Sequence, residues 1–125
     1  MISVSKHMQP FASDSRDAPA GDPAGFRAGG QARAASLLQA LGNPIRLAIV
    51  RELAGGGLCV HELVDRLGGQ GSGIAQPLVS QHLRVLRSAR VVVAGRRGKE
   101  NLYELVDSEV AGLVARALEH TRRHP

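Results

Sequence analysis

From Gln31 onward, apolar residues recur at the three- and four-residue spacing of amphipathic helices, and glycines interrupt the pattern where helices would end. Ala34, Leu37, Leu38 and Leu41 predict a first helix over residues 31–41, followed by Gly42, a residue common just past a helix C-terminus. Asn43 and Pro44 restart the chain as an N-cap with proline at the first helical position. Ile45, Ala48, Ile49, Glu52 and Leu53 carry a second helix to Gly55, Gly56 and Gly57. Val60, Leu63, Val64 and Leu67 share one stripe of a third helix, which the glycine-rich stretch 68–73 breaks.

Residues 76–105 are the segment around which the chain is organised. Gln76 and Pro77 open a helix whose wheel, at about 100° per residue, divides cleanly. Leu78, Val79, Leu83, Val85 and Leu86 fill one arc, and Pro77, Ser80, Gln81, Arg84, Arg87 and Ser88 fill the other. One arc packs and the other is free to touch a partner. Two β-prone runs, 91–94 and 102–106, then flank Gly95, Arg96, Arg97, Gly98 and Lys99, predicting a hairpin with three cations near its tip. The last element, residues 107 to about 120, carries a wide stripe of Val110, Leu113, Val114, Ala117 and Leu118, broadened by Ala111 and Ala115. It is too apolar to remain outside, and its expected sink is the same helix of a second subunit.

Charge sharpens the reading of the middle segment. Between Asp65 and Glu100 stand Arg66, Arg84, Arg87, Arg90, Arg96, Arg97 and Lys99 without a single acid. The free arc of the helix offers guanidiniums, an amide and a hydroxyl, groups that hydrogen-bond base edges and phosphates in a major groove. A one-sign stretch spanning a helix and a hairpin tip suits a surface that follows phosphates, whereas a merely solvated polar face is the bland alternative.

The whole chain has 125 residues, a net charge of +5 and two phenylalanines and one tyrosine as its aromatics, so a single domain with an aliphatic core is expected. Residues 1–30 are rich in Ala, Gly, Pro, Ser and Asp without a packing pattern, and read as a disordered tail in which His7 is a solvated side chain rather than a metal ligand. Residues 31–125 are expected to form one DNA-binding and dimerisation domain. No run reaches the roughly 18–20 apolar residues of a membrane span, and residues 1–10 lack a signal-peptide core, so a cytoplasmic protein without a membrane partner is expected. A single cysteine, Cys59, leaves no intrachain disulfide. The break at 68–73 is not a phosphate loop, because no buried strand precedes it and no Lys-Ser/Thr pair follows.

Four blocks in order, Ala-Leu-Gly-Asn-Pro-Ile-Arg-Leu (40–47), Leu-Cys-Val-His-Glu-Leu (58–63), Gln-Pro-Leu-Val-Ser-Gln-His-Leu (76–83) and Asn-Leu-Tyr-Glu-Leu (101–105), resemble the ArsR/SmtB family of winged-helix repressors. The resemblance covers about residues 31–120. It implies a mainly α fold with a small β-hairpin, a dimeric winged helix-turn-helix, and repression relieved by a metal ion or another signal. It places Ser80, Gln81, Arg84 and Arg87 at the groove and Arg96, Arg97 and Lys99 on the wing. His82 matches a position often histidine in the family, yet the wheel sets it within the apolar arc, so a base contact and a packed histidine both stay open. Two departures stand out: the turn before Gln76 is longer than the family's, and Arg90 occupies a position where glycine commonly ends the helix.

The same resemblance marks two metal-site candidates. Cys59 and His61, at the start of the third helix, offer a thiolate and an imidazole suited to zinc or a softer ion. Residues two apart on a regular helix, however, point about 200° away from one another. In the last helix the zinc-responsive register falls on Asp107, Glu109, His120 and Arg123. Arg123 stays protonated and cannot ligate, and His124, four residues after His120, can take its place. In an antiparallel pair of these helices, Asp107 and Glu109 of one subunit would meet His120 and His124 of the other, a tetrahedral set suited to Zn2+ or another divalent metal. The alternative is an N-cap aspartate, a first-turn glutamate and C-terminal histidines, all favoured by the helix dipole. The expected function is thus a sequence-specific repressor on double-stranded operator DNA, acting as a homodimer and released by a divalent metal. A same-fold repressor responding to oxidation of Cys59 or to no ligand is the alternative, with a pure dimerisation module behind it. An enzyme built on Cys59, His61 and Asp65 is not expected, because no pocket is implied.

Overall fold

The computed structural model describes residues 30–68 and 73–125. Its elements are, in order, α1 (Gln31–Leu41), α2 (Pro44–Leu53), β1 (Leu58–Cys59), α3 (Val60–Arg66), α4 (Gln76–Ser88), β2 (Val92–Arg97), β3 (Glu100–Leu105) and α5 (Glu109–Arg123). Contacts separate Met1–Ser36 from Leu37–Pro125. Of the first unit the described part is the opening of α1, where the Ala34 amide donates to the Gly30 carbonyl at 2.8 Å. The expected tail up to residue 29, with His7, lies outside the described residues, as do residues 69–72 of the long turn.

In the second unit the helices begin where local chemistry starts them. Asn43 Oδ1 accepts from the amides of Ile45 at 2.9 Å and Arg46 at 3.1 Å, satisfying two donors of the first turn of α2, and Pro44 needs no partner there. Glu62 does the same for α3 from inside the helix, accepting the Cys59 amide at 2.8 Å.

The core is aliphatic throughout: Ile49, Val50 and Leu53 of α2, Leu63 of α3, Val79, Leu83 and Leu86 of α4, Val91 and Val92 leading into the sheet, and Val114 of α5 are all buried. Helices α3 and α4 pack as the helix-turn-helix, and β2 and β3 form the wing, giving a winged helix-turn-helix.

The sheet is antiparallel with order β1-β3-β2. Strand β1 is an addition to the expected hairpin, pairing Leu58 with Tyr103 and Cys59 with Leu102. Gly57 lets it approach, since a Cβ there would stand 2.8 Å from Glu104 Cγ and 3.2 Å from the Leu102 side chain. The wing is longer than expected, pairing Val92 with Leu105 through to Arg97 with Glu100. Only Gly98 and Lys99 form its turn, Gly98 taking a φ of 64° at the first central position of a two-residue loop. Gly95, Arg96 and Arg97 therefore belong to a strand rather than to the tip.

Two expectations about packing divide. The stripe of α5 splits: Val114 is buried and Val110 and Leu118 pack on the chain's own core, while Leu113 stays 39% exposed and Ala117 faces out. Val85, assigned to the packed arc of α4, is 37% exposed, because it stands roughly 120° from the centre of the Val79/Leu83/Leu86 stripe.

Helix α4 ends with Arg90 in the left-handed region, φ 62°, and the Val91 amide returns to the Leu86 carbonyl at 2.9 Å. This is the helix stop that glycine makes without a Cβ penalty. Arg90→Gly is expected to raise stability by about 1 kcal/mol, seen as a higher denaturation midpoint with an unchanged slope; a lower midpoint would show that the Arg90 side chain contributes more than its backbone costs.

Candidate nucleic-acid interface

Helix α4 presents Gln81, Arg84 and Arg87 to solvent and half-buries Ser80, while Val79, Leu83 and Leu86 on the opposite side lie in the core. Because the buried stripe sets which face of the helix is inward, the amide and the guanidiniums are turned outward on a rigid element. Their donors match phosphate oxygens and purine edges. No carboxylate lies on this helix.

His82 does not share that arc. It is half-buried, and its Nδ1 lies 3.1 Å from Nη1 of Arg46 on α2. Burial, and then the neighbouring Arg46 charge, push its pKa below the ordinary histidine value. The ring is thus a neutral acceptor beside the core, the packed arrangement that its place on the wheel left open.

The wing is less uniform in charge than its sequence. Arg97 donates from Nη2 to Glu62 Oε1 on α3 at 2.8 Å, and His61 Nδ1 lies 3.4 Å from Glu100 Oε2. Arg97 and Glu100 are Cα partners in the last pair of the hairpin, so the end of the wing is tied to the first turn of α3 at two points. Arg96 turns toward the Gly98 carbonyl at 3.5 Å, and Lys99 is exposed in the turn. Glu62, just before the acid-free stretch, and Glu100, which ends it, are brought back in space against it.

The first metal-site candidate falls beside a cleft of about 380 Å³ lined by Cys59, Val60, His61, Gln76, Glu100 and Asn101. Cys59 is buried. Its burial, then a hydrogen bond to Glu100, pushes the thiol pKa up, which favours the protonated form over a ligating thiolate. His61 is exposed and turned to Glu100.

In α5 the second candidate set is split between the ends. Asp107 Oδ1 accepts from the amides of Glu109 at 2.9 Å and Val110 at 3.3 Å, so it caps the helix. At the other end His120 and His124 stack with ring centroids 4.6 Å apart. Thirteen residues of helix place Asp107 about 20 Å from His120. One chain cannot close both ends on an ion, and no group of three donors gathers among the described residues. Two antiparallel copies could bring oxygen donors to nitrogen donors, and the residue types fit Zn2+.

Arg46, Glu62 and Glu100 escaped the sequence reading. Each lies in or beside a motif block, but its partner is 35 to 39 positions away, beyond any local pattern.

Residues 43–93 match the family model described as bacterial regulatory protein, arsR family. Over 87 residues the chain is 48% identical to the HTH-type transcriptional repressor SmtB of Mycobacterium tuberculosis, covering 70% of this chain and 61% of that protein. Over 102 residues it is 39% identical to the HTH-type transcriptional regulator NmtR of the same organism, covering 75% of this chain and 81% of NmtR. Among solved structures it is similar to the homodimeric winged helix-turn-helix DNA-binding domain of Mb0332 from Mycobacterium bovis, with a TM-score of 0.66 and 28% identity over 78% of this chain and 86% of that one.

The Glu62 carboxylate is held below its ordinary pKa by the Cys59 amide first and by Arg97 second. A depressed carboxylate stabilises the fold above its unfolded pKa, and that stabilisation is lost as pH falls through the folded value. Glu62→Gln is therefore expected to lower the melting temperature at neutral pH and to flatten its acid-side decline; an unchanged acid profile would show that the Glu62 carboxylate contributes nothing to the fold.

Proposed function

The chain belongs to the ArsR family of bacterial regulatory proteins, and we propose that it is a homodimeric, sequence-specific repressor of transcription on double-stranded operator DNA. The observation that carries this reading is the outward, acid-free face of α4 set on a fully buried stripe. Ser80, Gln81, Arg84 and Arg87 enter the major groove, and Arg96, Arg97 and Lys99 follow phosphates beside it. Residues 31–125 form the binding and dimerisation domain. The dimer is supported by apolar surface left open on α1 and α5, where Leu38 is 57% and Leu113 39% exposed. A two-fold pair presents two copies of α4 to a pseudo-palindromic site. The reading assigns no catalysis: the thiol of Cys59 is buried and His61 faces Glu100. No described helix is long and apolar enough to cross a membrane, in keeping with action on DNA in the cytoplasm.

A divalent metal such as Zn2+ is the proposed effector. Asp107 and Glu109 of one protomer and His120 and His124 of its partner would hold it, and the ion would supply a crosslink that favours one dimer shape. A coupling of the usual 1–3 kcal/mol would weaken DNA binding by roughly 5- to 150-fold. Should binding ignore metals and respond to peroxide, Cys59 becomes the sensor, despite its burial.

Fluorescence anisotropy on a duplex from the chain's own promoter region, in EDTA and then with zinc at fixed salt, tests both parts. Tight binding in EDTA that zinc abolishes is the expected result; indifference to zinc, cobalt, nickel and cadmium alike would remove the metal site but keep the repressor. Lys99→Ala is expected to weaken binding to all sequences alike and reduce the salt slope by about 1, whereas Arg84→Ala is expected to cost about 1–3 kcal/mol on the preferred sequence and relax its selectivity. Equal effects of the two on every duplex would remove the groove-reading role of α4.

A further inference from the structure

Arg46 sits in the first turn of α2, its amide held by Asn43 Oδ1, and its side chain reaches two other elements. Its Nε donates to the carbonyl of Ala40 in the last turn of α1. Its Nη1 lies 3.1 Å from Nδ1 of His82, halfway along α4. A guanidinium has donors only and stays protonated, so His82 Nδ1 must be the acceptor. A neutral imidazole that accepts at Nδ1 carries its proton on Nε2. The contact thus sets both the charge and the tautomer of His82.

The buried side of α4 is a smooth aliphatic stripe, Val79, Leu83 and Leu86. Apolar burial is non-directional: it holds the helix down but says little about small rolls or slides along its axis. A hydrogen bond between fixed atoms supplies that missing constraint. His82 lies between Gln81, which is exposed on the reading face, and Leu83, which is buried, so a roll that broke the Arg46 contact would also swing Gln81 and Arg84.

We propose that Arg46 is a positioning residue for DNA recognition, which fixes the roll and register of α4 by donating to His82 Nδ1, and that His82 serves as the acceptor of this lock rather than as a reader of bases. The proposal rests on the reading of α4 as the DNA-contacting helix. Protonation of His82 would turn the acceptor into a donor and set two cations face to face, so the lock opens in acid. The charged group that acts on His82 is Arg46 from α2; α1 contributes the Ala40 carbonyl, which Arg46 also holds.

The two imidazole nitrogens can be tested separately, because asparagine places its Oδ1 near the Nδ1 position and glutamine places its terminal amide near the Nε2 position. The tautomer is read first, on the full 15N-labelled chain without DNA, by long-range nitrogen–proton correlation of the His82 ring. Protonation at Nε2, with a titration below the ordinary histidine value, is expected; a proton on Nδ1 overturns the lock whatever the variants do. Anisotropy then compares the promoter duplex with a scrambled one for wild type, His82→Asn, His82→Gln and Arg46→Lys, with circular dichroism confirming the fold of each.

His82→Asn is expected to keep wild-type selectivity and lose its decline in acid. His82→Gln and Arg46→Lys are expected to lose about tenfold on the promoter duplex and much less on the scrambled one. Retention in His82→Gln with loss in His82→Asn would make Nε2 a DNA contact and overturn the proposal, as would equal binding by all variants. If wild type does not distinguish the duplexes, the DNA reading fails and the positioning role with it. The lock would then be judged alone, by the tautomer and by whether removing the charge with Arg46→Met raises the His82 titration.

Discussion

Val79, Leu83 and Leu86 must all reach the core from one side of α4, and that requirement fixes most of what surrounds them. Once the stripe is buried, the opposite arc has no choice but to face solvent. The chain then leaves the helix through the left-handed Arg90, which delivers Val91 and Val92 into the same core. Val92 begins β2, and the Val106 amide closes the base of the hairpin on the Val91 carbonyl at 3.0 Å. The wing is therefore anchored by residues that immediately follow the helix, so α4 and the wing share one packed core.

Much of this was legible in the sequence because the signals are local. Helical spacing, the Asn43-Pro44 start and the glycine stops act within a few residues, and α1, α2 and α4 fall where those signals place them. The shortfalls have equally physical reasons. Strand β1 is two residues long, too short for a two-residue period to register, and it exists because Gly57 admits it against β3. The wing was expected to turn over five residues but turns over two, because cross-strand pairing extends the strands through Gly95, Arg96 and Arg97, residues with no strong strand preference of their own. The acid-free stretch was real along the chain and not in space, since Glu62 sits 35 residues from Arg97 and within hydrogen-bond distance of it. The candidate metal residues on α5 are ambiguous for a deeper reason. Acids at the start of a helix and histidines at its end are favoured by the helix dipole itself, so composition alone does not distinguish a cap from a ligand. Asp107 in fact caps.

The terminal helix illustrates how one stripe can serve two masters. Val110, Val114 and Leu118, at i, i+4 and i+8, turn inward onto the chain's own core, while Leu113 and Ala117 one step around the helix remain outside. A wide apolar stripe is wider than one neighbour can cover. The inward part ties α5 to α2, and the outward part is what a second copy would bury.

That division also sets the route by which a change at α5 would reach DNA. Helix α5 packs on α2, and α2 carries Arg46 in its first turn. A shift of α5 would first be felt by α2, whose N-terminus is pinned by Asn43 and whose Arg46 spans to Ala40 and His82. The aliphatic core transmits such a shift diffusely, over many weak contacts. The Arg46–His82 contact transmits it as one bond with a narrow distance and angle range, either made or broken. A dimer whose α5 helices can be held in two separations therefore has, in this one guanidinium, a discrete element able to convert a small displacement of α2 into a change in the set of α4. What gives this link its force is that its two arrangements differ in the hydrogen bonding of a half-buried polar ring, a difference that the neighbouring apolar contacts do not compensate.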